Sequence, residues 1–258
     1  MGSGSVLSKR LLSVNHILNL HDPPWLVDRI LPAASLGMLW GPSNVGKSFV
    51  ALDLACAVAA DLPWLGQKVA AGPVVYIAGE GLLGQKRRIR AWLHYHEFDT
   101  AVLDDLHFVA EPIQLQEEQA ADRIIGLTKA VSPSLVVIDT LAASSLGVDE
   151  DKTMGIGPIL HTLQTVRKKL HTAILVVHHT GWAGEHERGA SALRATMDLS
   201  MELKGDDEKV KRRTPRKRLI CRKQRDAEKF DTIHIRLEEV VWETAWKPAK
   251  SLVVQHVG

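Results

Sequence analysis

The chain of 258 residues carries 32 basic and 30 acidic side chains, a formal net charge of +2. At roughly 100–200 residues per domain, this length allows one large domain or two small ones, with core enough to fold without disulfides or structural metals. With 45% apolar and 24% charged residues the composition is globular, and the even charge excludes a histone-like polycation while leaving room for a local basic face.

Two cysteines, Cys56 and Cys221, lie far apart and build neither a disulfide framework nor a metal-ligand spacing. A reducing, cytoplasmic setting is the expectation. No apolar run reaches the ~18–20 residues of a membrane span, so no membrane association is expected. Met1–Ser5 reads as a flexible leader without the apolar centre of a signal peptide.

In chain order, residues 1–23 read as an amino-terminal arm and 24–245 as one domain, with 246–258 as a tail. Leu36–Trp40 is a predicted strand and Lys47–Ala60 a helix. Val74–Ala78 is a strand, Leu83–His96 a helix, Leu106–Ala110 a short strand and Gln116–Ala130 a helix. Leu135–Asp139 is a strand, Ile156–Leu170 a helix and Ala173–His178 a strand. Continuous apolar runs of about five residues suit strands buried on both faces of a parallel sheet. Their alternation with helices predicts an α/β fold with a mostly parallel central sheet. Beyond residue 189 the pattern changes to consecutive strands, Met197–Leu203, Arg218–Lys223 and Thr232–Leu237, which read as antiparallel.

The segment Gly41-Pro42-Ser43-Asn44-Val45-Gly46-Lys47-Ser48, followed by Phe49, fits G-x-x-x-x-G-K-[ST] at every fixed position. It sits directly after a predicted strand and opens a predicted helix, the context a phosphate-binding loop requires. Its glycines let backbone N–H groups curl toward a phosphate chain, and the helix adds its positive dipole end. Lys47 is placed for the β- and γ-phosphates and Ser48 for Mg²⁺, so ATP and Mg²⁺ are the expected cofactors.

Three strand ends supply further candidates, since ligands in open α/β sheets bind at the carboxyl ends of strands. Asp139 ends an apolar strand and suits the magnesium shell, although a turn-forming Asp is the plainer alternative. Glu80 follows Val74–Ala78 and suits a general base for the attacking water, against a solvated loop glutamate. The third strand ends in His178-His179, where a polar side chain is placed to sense the γ-phosphate. His178, His179 and His186 match no trusted zinc spacing, and one of the paired histidines reads as structural.

The joint order of phosphate loop, strand-Glu80, strand-Asp139, strand-His-His and Arg188-Gly-Ala-Ser-Ala-Leu-Arg194 resembles the RecA-like hexameric ATPases. It is most similar to plasmid RepA-type and phage replicative helicases, and the likeness spans roughly Pro24 to Glu239. The resemblance implies a RecA-like P-loop core and a ring of subunits, a hexameric homo-oligomer, with ATP bound between neighbours. It implies Glu80 as catalytic glutamate, Asp139 as magnesium aspartate and His179 as the polar sensor.

Ile220-Cys-Arg-Lys223-Gln-Arg225 resembles the late strand whose two cations cross the interface to a neighbour's γ-phosphate in that family. Residues two apart on a strand share a face, so Lys223 and Arg225 can address one phosphate; a solvent-facing pair on an edge strand is the alternative. RepA-type enzymes place this finger farther upstream, where Arg194 is the nearest candidate. The loop Thr180–Arg188 resembles the channel-facing loop of RecA-like rings and offers Trp182 for base stacking and Arg188 for phosphates. The run Lys209–Arg218, with seven cations in ten residues, reads either as a nucleic-acid patch or as a solvated hairpin.

The expected activity is therefore ATP hydrolysis driving a replicative helicase-like motor on single-stranded DNA, with primase or other replication proteins as possible partners. The competing readings are a nucleotide-switched DNA-binding or helicase-loader-type ATPase, and a recombinase-like filament former.

Overall fold

Alternating apolar runs and helices fold here into one large sheet sandwiched between helical layers. A computed structural model of the chain describes residues 12–20, 23–79, 81–148, 153–179, 190–205, 216–244 and 247–257. The short helix α1 (Val14–Leu18) precedes a two-stranded hairpin, β1 (Trp25–Val27) and β2 (Leu31–Pro32). The core then runs β3 (Leu36–Gly41), α2 (Lys47–Ala59), β4 (Val74–Ala78), α3 (Leu82–His96), β5 (Leu106–Val109), α4 (Ala120–Thr128), β6 (Leu135–Asp139), α5 (Thr153–Leu170) and β7 (Ala173–His179). It ends with α6 (Ala190–Thr196), β8 (Leu199–Gly205), β9 (Arg216–Gln224), β10 (Ile233–Trp242) and β11 (Ala249–His256).

Among the described residues, nine strands form one sheet in the order β11-β10-β9-β8-β3-β7-β6-β4-β5. From β5 to β8 every neighbouring pair is parallel, and β9, β10 and β11 continue the sheet antiparallel. The expected α/β, RecA-like core is thus present. Strand alternation sends Leu135, Val137, Leu175 and Val177 into the layer that holds α2, and Val136, Ile138, Ile174 and Val176 into the opposite layer. Both faces are dry, which is why these strands carry no polar alternation. Helix α2 is itself buried nearly all round, from Val50 to Val58, because it lies between the sheet and the outer elements.

Three differences from expectation have local causes. Helix α4 starts at Ala120 rather than near Gln116, because the backbone before it closes turns: the Glu117 N–H donates to the Gln114 carbonyl and the Ala120 N–H to the Glu117 carbonyl, each at 3.1 Å. Residues 24–34, for which no element is predicted, form the β1–β2 hairpin, whose Leu26, Val27, Ile30 and Leu31 are buried against the α2 layer. The stretch 246–258, expected as a tail, contains β11, which pairs with β10 from Trp242↔Ala249 to Ile235↔His256 and closes one sheet edge. Among the described residues, no helix is long and apolar enough to cross a membrane. Cys56 and Cys221 are buried free thiols.

Candidate functional site

The phosphate loop occupies the turn between β3 and α2, at the carboxyl end of the parallel strands. Two of its glycines are required by geometry. Gly41 has φ 153°, and a Cβ there would lie 2.3 Å from the Leu203 carbonyl oxygen. Gly46 has φ 107°, and a Cβ would lie 2.6 Å from Leu237 Cδ1. Gly46 is also the residue before α2, and it offers no side-chain cap that would compete with an anion at the helix start.

Lys47 is buried and folded back over the loop. Its Nζ donates to the carbonyls of Gly41 at 3.0 Å and Pro42 at 2.8 Å, and lies 3.0 Å from His179 Nδ1. Ser43 Oγ lies 3.4 Å from the same ring nitrogen. The parallel register explains the meeting, since β3 and β7 pair with Gly41 opposite His179. His178, one residue earlier, is buried opposite Trp40. The two histidines therefore divide as their alternation dictates, one into the core and one onto the loop.

Asp139 ends β6 beside Ala78 of β4, and only 4% of its surface is exposed. Ser48 Oγ donates to its Oδ1 at 3.0 Å, and the Tyr76 hydroxyl donates to its Oδ2 at 2.6 Å. The following Asp139–Thr140 peptide is cis. Ser48 Oγ and Asp139 Oδ1 place two hard oxygens side by side at the helix start, a donor set that suits Mg²⁺, which takes few protein ligands and keeps its waters. Tyr76 is a member of this site that sequence reading missed, since one phenol in an aliphatic strand carries no motif. Burial, and then the neighbouring Asp139 carboxylate, push the Tyr76 pKa well above the ordinary tyrosine value, so its hydroxyl remains a donor.

Glu80 lies outside the described residues. Its predecessor Gly79 donates its N–H to the Asp139 carbonyl at 2.8 Å, which joins the ends of β4 and β6. Phe49 faces Arg88 of α3, whose guanidinium carbon lies 4.7 Å from the ring centroid, a cation–π contact beside the loop. Deeper along α2, Asp53 accepts from the indole N–H groups of Trp64 and Trp92, each at 3.0 Å. Desolvation by burial outweighs these two hydrogen bonds and raises its pKa to about 7.

Lys223 and Arg225 stand apart from this cluster. Strand β9 runs antiparallel to β8, from Gly205↔Lys217 near the phosphate-loop end back to Leu199↔Gln224. Both cations therefore lie toward the amino-terminal edge of the parallel strands, away from their own chain's phosphate loop. Lys223 Nζ donates to the carbonyls of Arg194 at 2.8 Å and Ala195 at 2.9 Å. Arg225 donates to the same Ala195 carbonyl at 2.9 Å and to Asp198 at 2.7 Å. Asp198 also accepts from Arg167 at 3.0 Å and from the Leu36 N–H at 2.9 Å. Desolvation, then the Arg225 charge, lower the Lys223 pKa, and Asp198 opposes them. The expected shared face is present, and within one chain it serves the last turn of α6 and Asp198.

Trp182, His186, Arg188 and residues 206–215 of the basic run lie outside the described residues. Among the described residues, no group of three or more His, Cys, Asp or Glu side chains is arranged to hold a metal ion.

Residues 10–185 match the AAA domain family. That stretch holds the phosphate loop, Asp139 and His179 and ends before β8. Among solved structures, the chain is similar to a KaiC-like protein from the hyperthermophilic archaeon Pyrococcus horikoshii OT3, with a TM-score of 0.60 and 16% identity over 84% of this chain and 91% of that one. At that identity the likeness establishes a common fold. No curated protein matches the sequence significantly.

Proposed function

The chain belongs to the AAA domain family and is a P-loop ATPase of RecA-like fold, and from that premise we propose that it works as a ring-forming motor on single-stranded DNA, of the replicative-helicase kind. The observation that carries this reading is the separation of its cations. Lys47 lies in the phosphate loop, whereas Lys223 and Arg225 share a face toward the opposite edge of the same sheet. They can complete a nucleotide site only on a neighbouring subunit, which makes hydrolysis depend on assembly.

In this reading ATP lies along Gly41–Ser48, with its phosphates held by backbone N–H groups and Lys47. Ser48 and Asp139 would hold Mg²⁺, which neutralises charge on the phosphate oxygens when bound. Glu80 orients and deprotonates the attacking water, and His179, already in contact with Lys47, reports the γ-phosphate to the strand end that leads into residues 180–189. Trp182 and Arg188 in that stretch would contact DNA by stacking and phosphate pairing.

The test is mass photometry with a non-hydrolysable ATP analogue, with and without single-stranded DNA, followed by a strand-displacement assay. Closed rings that displace a strand support the motor. A monomer under all conditions overturns it. Rings that hydrolyse ATP without displacing a strand identify a nucleotide-switched binding protein instead.

A further inference from the structure

The residue that holds Asp139 in place comes from a different strand and has no counterpart in the motifs. Tyr76 is fully buried in β4, an otherwise aliphatic strand of sequence Val-Val-Tyr-Ile-Ala. A buried phenol needs an acceptor, because leaving its hydroxyl unpaired costs about 1–3 kcal/mol. Many acceptors would satisfy that need, including a backbone carbonyl. The hydroxyl instead donates to a carboxylate oxygen at 2.6 Å, the short, charge-assisted kind of hydrogen bond.

Two further observations show that the contact is aimed. The Tyr76 ring cannot readily swing away, since Phe108 pairs with it across the β4–β5 register and the two ring centroids lie 5.4 Å apart. The carboxylate is also addressed from both sides: Ser48 on Oδ1, Tyr76 on Oδ2. With Oδ2 held by a donor from the core, Oδ1 stays turned toward Ser48 and the phosphate loop.

We propose that Tyr76 is a positioning residue for the metal-binding carboxylate, fixing Asp139 so that Oδ1 faces the Mg²⁺ shell. The inference rests on the reading of the site as an ATP·Mg²⁺ site. It assigns Tyr76 an indirect role, since its hydroxyl touches Asp139 and not the metal or the nucleotide. Outer partners of this kind typically alter metal affinity about 10–100-fold.

The test is Tyr76→Phe, which keeps the ring and removes the hydroxyl. Binding of a fluorescent, non-hydrolysable ATP analogue is titrated with Mg²⁺, and turnover is measured over the same Mg²⁺ range. The expected result is a Mg²⁺ midpoint raised about tenfold in both titrations, with metal-free nucleotide binding unchanged. Phe108→Leu serves as the packing control: it lowers the melting temperature but leaves the Mg²⁺ midpoint within about twofold of the parent. A Tyr76→Phe midpoint within about twofold of the parent overturns the inference, as does an equal shift in Phe108→Leu.

A second measurement does not depend on the Phe variant folding. The chain has two tyrosines, so Tyr95→Phe leaves Tyr76 as the sole site for 3-fluorotyrosine. Its fluorine resonance should move when Mg²⁺ is added to the nucleotide-bound protein, and a resonance indifferent to the metal counts against the role. A parent protein that binds nucleotide without any response to Mg²⁺ overturns both this inference and the ATP·Mg²⁺ reading. A parent that responds normally beside an unaltered variant overturns this inference alone.

Discussion

The two ends of the sheet hold their charges in different ways. At the carboxyl end of β3, β6 and β7, Asp139 and His179 end strands buried on both faces and meet Lys47 and Ser48 at the start of α2, each positioned by a neighbouring strand or by the loop backbone. Toward the opposite edge, Lys223 and Arg225 rest on α6 carbonyls and on Asp198, with solvent access. The first region is assembled within one chain. The second has a cis role in bracing the end of α6, and its cations are too far round the sheet to act on their own chain's nucleotide. In the proposed ring, a site divided in this way would tie turnover to a neighbour, whereas a site complete in one chain would not.

The largest effect is expected at the first region. Lys47→Ala should remove both tight nucleotide binding and measurable hydrolysis, read by analogue binding and phosphate release. Arg225→Ala should spare nucleotide binding and lower turnover by about 10³-fold, the scale of an arginine finger. Normal turnover in that variant would leave Arg225 with its cis role alone. Mixing the two inactive proteins sharpens the comparison further. A mixed ring places an intact phosphate loop opposite an intact Arg225, so turnover should partly return, and its failure to return would argue against a shared site.

Smaller effects concern how the first region is built. Gly46→Ala forces a left-handed conformation on a residue with a side chain and drives its Cβ into Leu237, so stability should fall by about 1–3 kcal/mol in denaturant melts. Adding Leu237→Ala should relieve the clash but not the backbone part of the loss.

The smallest effect expected is the pH response of Asp53 on α2. Its folded-state pKa of about 7 exceeds the ordinary aspartate value of 3.8, so the folded state binds the extra proton between those limits. Its contribution to stability is therefore fully present below about pH 3.8 and lost as the pH rises through about 7. Asp53→Asn should flatten that part of the profile, measured as the difference in urea midpoint between pH 5 and pH 8 for parent and variant. An unchanged difference would show that the two indoles keep the carboxylate charged throughout.

Much of the first region was legible from residue order, because its signals are local. The loop from Gly41 to Ser48 is contiguous, and its glycines announce backbone conformations that other residues rarely adopt. Asp139 and His179 could be found as polar residues ending apolar runs, since a strand buried on both faces has no other use for them there. The split between His178 and His179 was foreseen as a division of roles, with His179 as the sensor on the strength of the resemblance, and the β3–β7 register supplies the physical reason that His179 lies beside the loop. The second region was read less well. Its pair of cations was visible, yet their cis partners Ala195 and Asp198 lie about 30 residues upstream, with no spacing rule to connect them.

By itself, then, the sequence determined the phosphate loop, the alternation of buried strands and helices, and the polar groups at strand ends, because each rests on contacts or conformations within a few residues. Only the tertiary structure decided which strands lie side by side. That choice brought Tyr76 to Asp139 across 63 residues, turned 249–256 into the edge strand β11, and sent Lys223 and Arg225 toward the far edge of the sheet. Pairing order and register are settled by burying many apolar faces at once, and such a global sum leaves little trace at any single position.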